Sequence, residues 1–168
     1  PALEAPTAIS TIRVEVDPGP PFRFGRAQIA PLAPGTELPA AFRSGAPAES
    51  GAVASAVDVA IKAWRETGHA KAFVATEDVV ADHAARRIDA DVGLSPGPRL
   101  RFGRLEIVGE ERMREARVRK IAGLPEGEAF SETDLRRAET RLRRTGIFAS
   151  VALTEDEKIT APDLLGIS

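Results

Sequence analysis

His69 and His83 are the only imidazoles in the chain, and there is no cysteine. A protein metal site draws three or four ligands together from characteristic spacings; two distant histidines without a thiolate do not supply them, and a surface or turn role is expected for both. Carboxylates gather at Glu155, Asp156 and Glu157. General acid–base work requires a partner within hydrogen-bond reach of the reacting proton, and this run reads as a polar turn without a partner base. No glycine-rich phosphate loop and no nucleophile elbow interrupt the sequence. It therefore offers no candidate catalytic residue, metal ligand or cofactor site, and an enzyme is not expected. Arg136, Arg137, Arg141, Arg143 and Arg144 concentrate positive charge, which suggests an RNA or lipid contact. However, Glu132 stands four residues before Arg136 and Glu139 four before Arg143. Pairing along a helix surface accounts for much of the cluster, and a solvated face is the expected reading.

If side chains offer no reaction, the backbone and the elements that carry it become the place to look for function. The apolar fraction of 43% and charged fraction of 29% are those of a folded chain. With seven Phe, one Trp and no Tyr, its cores must be built mostly from Val, Ile, Leu and Ala. A net charge of −2 gives no general attraction to nucleic acid or anionic lipid. Without cysteine there are no disulfide staples, and no apolar run approaches the roughly 18 residues of a membrane-spanning helix.

The chain repeats itself. VEVDPGPPFRFGRAQI, from Val14 to Ile29, returns as VGLSPGPRLRFGRLEI from Val92 to Ile107, an offset of 78 residues. WRETG at Trp64–Gly68 returns as LRRTG at Leu142–Gly146 in the same register, and Gly45 and Pro47 fall on Gly123 and Pro125. Three separated landmarks in one register establish two copies of one module.

Pooling the copies predicts the elements. Leu100 and Phe102, then Leu105 and Ile107, alternate in opposite phases around Gly103, and Phe22, Phe24 and Ile29 do the same around Gly25; a bulge at the glycine brings both sets to one core face of an opening strand. A short helix is expected next in each copy, clearest from about Glu110 to Ile121, with Met113, Val118 and Ile121 as its stripe and Gly123 and Pro125 as its stop. A second helix starts at Ser131, with Asp134 as a capping-box-like partner, Phe130 as a staple, and Leu135, Ala138 and Leu142 inward. Its counterpart buries Val53, Val57, Ala60, Ile61 and Trp64. Gly68 and Gly146 end these helices. Strands are expected at Lys71–Val80 and Ala149–Thr154, and a closing strand at Arg86–Leu94 has one wet and one dry face. The fold class is α+β, with each module ordered β-α-α-β-β and two helices lying on one face of a three-stranded mixed sheet.

This order, the unit length, the PGP step into each opening strand and the TG before the strand that follows the second helix resemble the POTRA domain. More narrowly, PGPPFRFG, VVADHAARRIDADVGLSPGP, IAGLPEGEAFS and TGIFASV resemble the translocation-and-assembly-module outer-membrane subunit, in the superfamily of bacterial surface antigens and the main barrel assembly factor. The resemblance covers nearly the whole chain. It implies a periplasmic domain of a Gram-negative outer-membrane protein, with a C-terminal membrane barrel beyond this sequence and a role in protein transport and autotransporter biogenesis. The implied partners are unfolded outer-membrane protein or autotransporter polypeptides and a periplasm-spanning inner-membrane protein, with no nucleic acid. A two-partner secretion transporter carries similar repeats. From another class, KH-like nucleic-acid-binding modules also begin strand, helix, helix, strand, but they clamp RNA with a GXXG loop between the helices, and the segments at Gly45 and Gly123 do not fit it.

The register divides the chain into a closing strand of a preceding module over residues 1–17, a complete module over 18–95, and a following module over 96–168 that stops within its last strand. Loss of that strand is expected to leave the two flanking strands without their shared partner and with unpaired backbone groups, and residues 8–16 of another molecule are a candidate to complete the sheet by head-to-tail strand exchange. In the POTRA fold the strand Lys71, Ala72, Phe73, Val74, Ala75, Thr76, Glu77, Asp78, Val79 and Val80 lies at the sheet edge. It is the candidate client-binding element, working by strand addition (β-augmentation). Glu77 and Asp78 also act as edge charges that discourage pairing. Arg23, Arg26, Arg101 and Arg104 flank the RFGR turns and are candidates for setting the angle between modules.

Overall fold

The computed structural model describes residues 13–15, 19–108, 114–160 and 162–168. Strand β1 (Arg23–Ala30), helix α1 (Ala52–Glu66), strand β2 (Phe73–Asp82) and strand β3 (Arg87–Ser95) form the first module. Strand β4 (Arg101–Leu105), helices α2 (Glu115–Ala122) and α3 (Glu132–Arg143), and strands β5 (Glu155–Thr160) and β6 (Leu164–Ile167) form the second. Each sheet has three strands with the last in the middle, β1-β3-β2 and β4-β6-β5. The opening strand is parallel to the central one and the other flank is antiparallel to it.

The glycine bulges are present. Pairing slips between Phe24 and Ala27 in β1 and between Phe102 and Leu105 in β4, so Phe24 and Ile29, and Phe102 and Leu105, all reach a core. At Gly103 a Cβ would stand 2.8 Å from the Leu165 carbonyl oxygen, a backbone atom that cannot swing aside. Phe24 pairs across from Ile88 and Phe102 from Leu165, and Trp64 and Leu142 both pack against their own module's core. The two copies thus share their environments.

Helix α3 is capped as its sequence requires: the Ser131 hydroxyl accepts from the Asp134 N–H at 3.2 Å, and Leu135, Ala138 and Leu142 are buried. In α1 the most buried line is Ala52, Ala56 and Ala60, with Val53, Val57, Ile61 and Trp64 packed on its flank. The small residues let the helix lie close to a thin sheet. Helix α2 ends at Gly123, whose φ of 56° is the left-handed conformation that glycine adopts without strain. The proposed start of that helix at Glu110, and Met113, lie outside the described residues.

Three expectations are corrected. The first module has no counterpart of α2: residues 31–50, all described, form turns. Pro34, Pro39 and Pro47 together with Gly35 and Gly45 leave too short an uninterrupted stretch to nucleate a helix. Phe42 fills the space instead, its ring edge-on to Phe24 at 5.5 Å. In the second module the strand after α3 is Glu155–Thr160, not Ala149–Thr154, so the acidic run is a strand and not a polar turn. Strands form where a neighbour receives their hydrogen bonds, and Thr154 is already paired with Ser168 through N–H···O bonds of 2.7 and 2.9 Å. Finally, β4 and β5 do have their shared partner: β6 lies between them over four residues. Most of the N-terminal segment 8–16 falls outside the described residues.

Candidate functional site

A three-stranded sheet has two edges, and the four edges here are not equivalent. The outer side of β1 is covered by the loop before α1: Phe24 N–H donates to the Ala46 carbonyl at 2.9 Å, and the Gly45 and Ala48 N–H groups donate to Phe24 and Phe22. The outer side of β4 is covered in the same way, by the pairs Phe102–Glu128, Gly127–Phe102 and Phe130–Leu100. On β5 the pairing is interrupted by a bulge between Glu155 and Ile159, and the Lys71 ammonium donates to the Asp156 carbonyl at 2.7 Å. Among the described residues strand β2 borders β3 alone; it runs for ten residues and is almost wholly exposed. Phe73, Val79 and Val80 along it are 55%, 46% and 56% exposed.

The predicted client strand therefore lies at an open edge, with its bounds moved to Phe73–Asp82. Ala72 lies in the turn before it, where its N–H donates to the His69 carbonyl at 3.1 Å. Lys71 is drawn across to the second module. Thr76 faces Gly93 in the neighbouring strand, where a side chain on Gly93 would collide with the threonine hydroxyl.

Three of the four arginines proposed to set the angle between modules bond inside their own modules. Arg23 donates to the Gly45 carbonyl, Arg26 pairs with Asp91 at 2.9 Å, and Arg101 pairs with Asp163 at 3.1 Å. Arg104 is exposed on β4. The junction is held by residues to which the sequence assigns no such role. Arg65, in the last turn of α1, donates to Glu132 at 2.7 Å, to Glu155 and to the Ala70 carbonyl, and its guanidinium lies 5.4 Å from the centre of the Phe130 ring. Glu66 accepts from the Ser131 hydroxyl at 2.9 Å, from the Thr133 N–H at 2.9 Å and from the Thr133 hydroxyl at 2.6 Å. It thus supplies a carboxylate to the first turn of α3, where partial positive charge collects. Gly68 accepts from the Leu100 N–H at 2.8 Å. Ala70, a residue of the first module, is buried among Leu100, Phe102 and Phe130 in the core of the second.

These bonds hold charge states. Burial alone would lower the Arg65 pKa, but the bonds to Glu155 and Glu132 outweigh it and hold the value above that of an ordinary arginine. Burial pushes the Glu66 carboxyl upward, yet the hydroxyls of Thr133 and Ser131, the Thr133 N–H and the charge of Arg136 bring it below the usual glutamate value. His69 contacts the Gly97 carbonyl at 2.9 Å and packs edge-on to Trp64, and His83 packs edge-on to Phe22. The arginines of α3 pair with Glu132, Asp134 and Glu139 along the helix or, for Arg141, bond the Ala122 carbonyl. Among the described residues no group of acidic and histidine side chains is arranged to hold a metal ion, and no helix is long and apolar enough to cross a membrane.

The comparisons with known proteins fall on this architecture. The family model for POTRA, "Surface antigen variable number repeat", matches residues 100–164. The second module carries this match. The first repeats it in sequence register and sheet order, so the chain has the fold of tandem POTRA modules. Among solved structures, POTRA domains 3–5 of BamA from Haemophilus influenzae are 19% identical, with a TM-score of 0.75 over 87% of this chain and 59% of that one. BamA from Haemophilus ducreyi lacking POTRA domains 1–3 is 17% identical, with a TM-score of 0.61 over 75% of this chain and 24% of that one. At these identities the likeness shows the fold, and this chain spans only part of either of those chains. No curated protein matches the sequence.

Proposed function

We propose that this POTRA pair is a periplasmic polypeptide-binding scaffold of an outer-membrane protein assembly factor, most like the translocation-and-assembly-module subunit. It takes unfolded outer-membrane or autotransporter clients by strand addition and positions them for insertion beside a membrane barrel. One observation carries the reading: among the described residues, two of the four sheet edges are covered by loops, one is bulged and held by Lys71, and only β2 presents a long backbone edge flanked by exposed apolar side chains. Backbone pairing does not depend on client sequence, which suits partners that share none. A net gain of roughly 0.5–1.5 kcal/mol per hydrogen bond, set against an association cost on the order of 4–15 kcal/mol, makes such pairing weak and reversible. Glu77 and Asp78 reduce it further and keep idle edges from pairing with each other.

The test is a proline scan along Phe73–Asp82, read by binding of a labelled extended peptide taken from an outer-membrane β-strand. Proline removes the donor that an added strand needs. Binding is expected to disappear at positions whose N–H points outward while the module stays folded by circular dichroism. Affinity retained at every folded position would overturn strand addition at β2.

A further inference from the structure

Each row of side chains that crosses the first sheet ends on β2, so the residues of β2 set what an added strand must bring. Residues that face one another across two strands share a side of the sheet, with Cβ atoms about 4.5–5.5 Å apart in an antiparallel pair. The row Ile29–Val92–Glu77 lies on the side packed under α1, and by alternation the row Gln28–Asp91–Asp78 lies on the opposite side. The rows Ala27–Ala90–Val79 and Phe24–Ile88–Ala81 are apolar throughout, and between them Val80 faces Asp89. Two adjacent rows therefore end in carboxylates, and the next three end in apolar side chains. All five of these β2 residues are exposed.

The inner carboxylates are already matched. Asp91 pairs with Arg26 at 2.9 Å, and Asp89 accepts from the Arg26 N–H at 2.7 Å and pairs with Arg87 at 3.5 Å. Glu77 and Asp78, by contrast, make no side-chain hydrogen bond or ion pair among the described residues, and β2 carries no cation from Phe73 to Asp82. Asp78 also stands directly across from Asp91, a like-charge arrangement that destabilises a sheet. A cation on the open side of Asp78 relieves that repulsion, and a further carboxylate adds to it. An edge of this composition discriminates by rejecting acidic segments as well as by attracting basic ones.

We propose that β2 selects extended segments that place two adjacent basic residues beside three apolar ones. The basic pair faces Glu77 and Asp78, and the apolar triad faces Val79, Val80 and Ala81. This rests on strand addition at β2 and adds to it the chemistry of the client. The test uses three labelled extended peptides of equal length, alike except for Lys-Lys, Ser-Ser or Glu-Glu at the pair, titrated with the whole chain by fluorescence anisotropy in low salt. Each is made in both chain directions, because an added strand can run parallel or antiparallel to β2. The Lys-Lys peptide is expected to bind about tenfold tighter than Glu-Glu, with Ser-Ser between them, and the gap should narrow as salt rises. The double reversal E77K/D78K should invert the order. The charge-matched control E49K/D58K, at exposed positions outside β2, should leave that order in place, and far-ultraviolet circular dichroism checks that both variants stay folded. Equal affinity for Lys-Lys and Glu-Glu overturns the proposal, as does an order that the control shifts as much as E77K/D78K does. Peptides that all bind alike leave strand addition standing without the selection, whereas failure of every peptide to bind takes both readings down.

Discussion

Glu66 and Arg65 are neighbours in sequence with opposite tasks, and each can be removed separately. Glu66 satisfies the first turn of α3 from outside the module that contains that helix. Its loss in Glu66→Ala should cost about 0.5–2 kcal/mol, the range for removing a helix N-cap, measured by urea unfolding followed on the second module. Because folding holds this carboxyl below its ordinary pKa, its contribution is fully present above the unfolded value, about 4.3, and fades as pH falls through the lower folded value. The stability difference between the native chain and Glu66→Gln should therefore shrink when unfolding is measured in progressively more acid buffer. A difference that stays constant down to about pH 2 would show that Glu66 packs but does not act through its charge. Arg65→Lys keeps the charge but loses the planar fork that reaches Glu132, Glu155 and the Ala70 carbonyl together. It should cost about 1–3 kcal/mol, and a smaller cost would place the strength of the junction in Ala70 and Leu100 instead.

The elements differ in how plainly the sequence declares them. The bulge at Gly103 was legible because the apolar alternation changes phase there, and the physical requirement is severe. Gly103→Ala drives a Cβ into the Leu165 carbonyl and should cost about 1–3 kcal/mol, the range for overpacking, with the sheet loosened at β4–β6 in hydrogen exchange. Helices α1 and α3 were legible from their stripes and from Ser131. The missing helix in the first module was masked by the repeat itself: the second copy has α2, and Gly45 and Pro47 keep its landmarks, while Pro34 and Pro39 had already removed the room for it. Local alternation puts β5 at Ala149–Thr154 because the strand's true extent, Glu155–Thr160, depends on what lies beside it, a tertiary fact. The edge position of β2 came from family resemblance, and its openness required knowing where residues 44–48 and 127–130 pack. The junction was hidden for the same reason. Arg65 meets Glu132 and Glu155 across 67 and 90 residues of chain, and the only local sign was that its arginine recurs inside the LRRTG landmark.

At the scale of the molecule, the junction decides whether two modules move as one. Beads joined by a flexible linker would let β2 and β5 sample many mutual orientations, whereas here the link is a packed contact. Ala70 enters the neighbouring core, Gly68 pairs with Leu100, and Arg65, Glu66 and Lys71 make polar bonds that converge on α3 and β5. Interfaces of this kind are two-sided: losing one charged partner leaves the other half-buried and uncompensated. The double variant Arg65→Ala, Glu66→Ala should therefore broaden the distribution of angles between modules while leaving each sheet intact. Small-angle X-ray scattering is expected to show a larger radius of gyration and a smeared maximum in the distance distribution, with the amide spectrum of each module unchanged away from the junction. If the scattering of the variant superimposes on that of the native chain, apolar packing at Ala70 and the short connection from Ser95 to Leu100 fix the angle without the ion pairs. In that case Ala70→Asp, which places a carboxylate in the neighbouring core, is the substitution expected to release it.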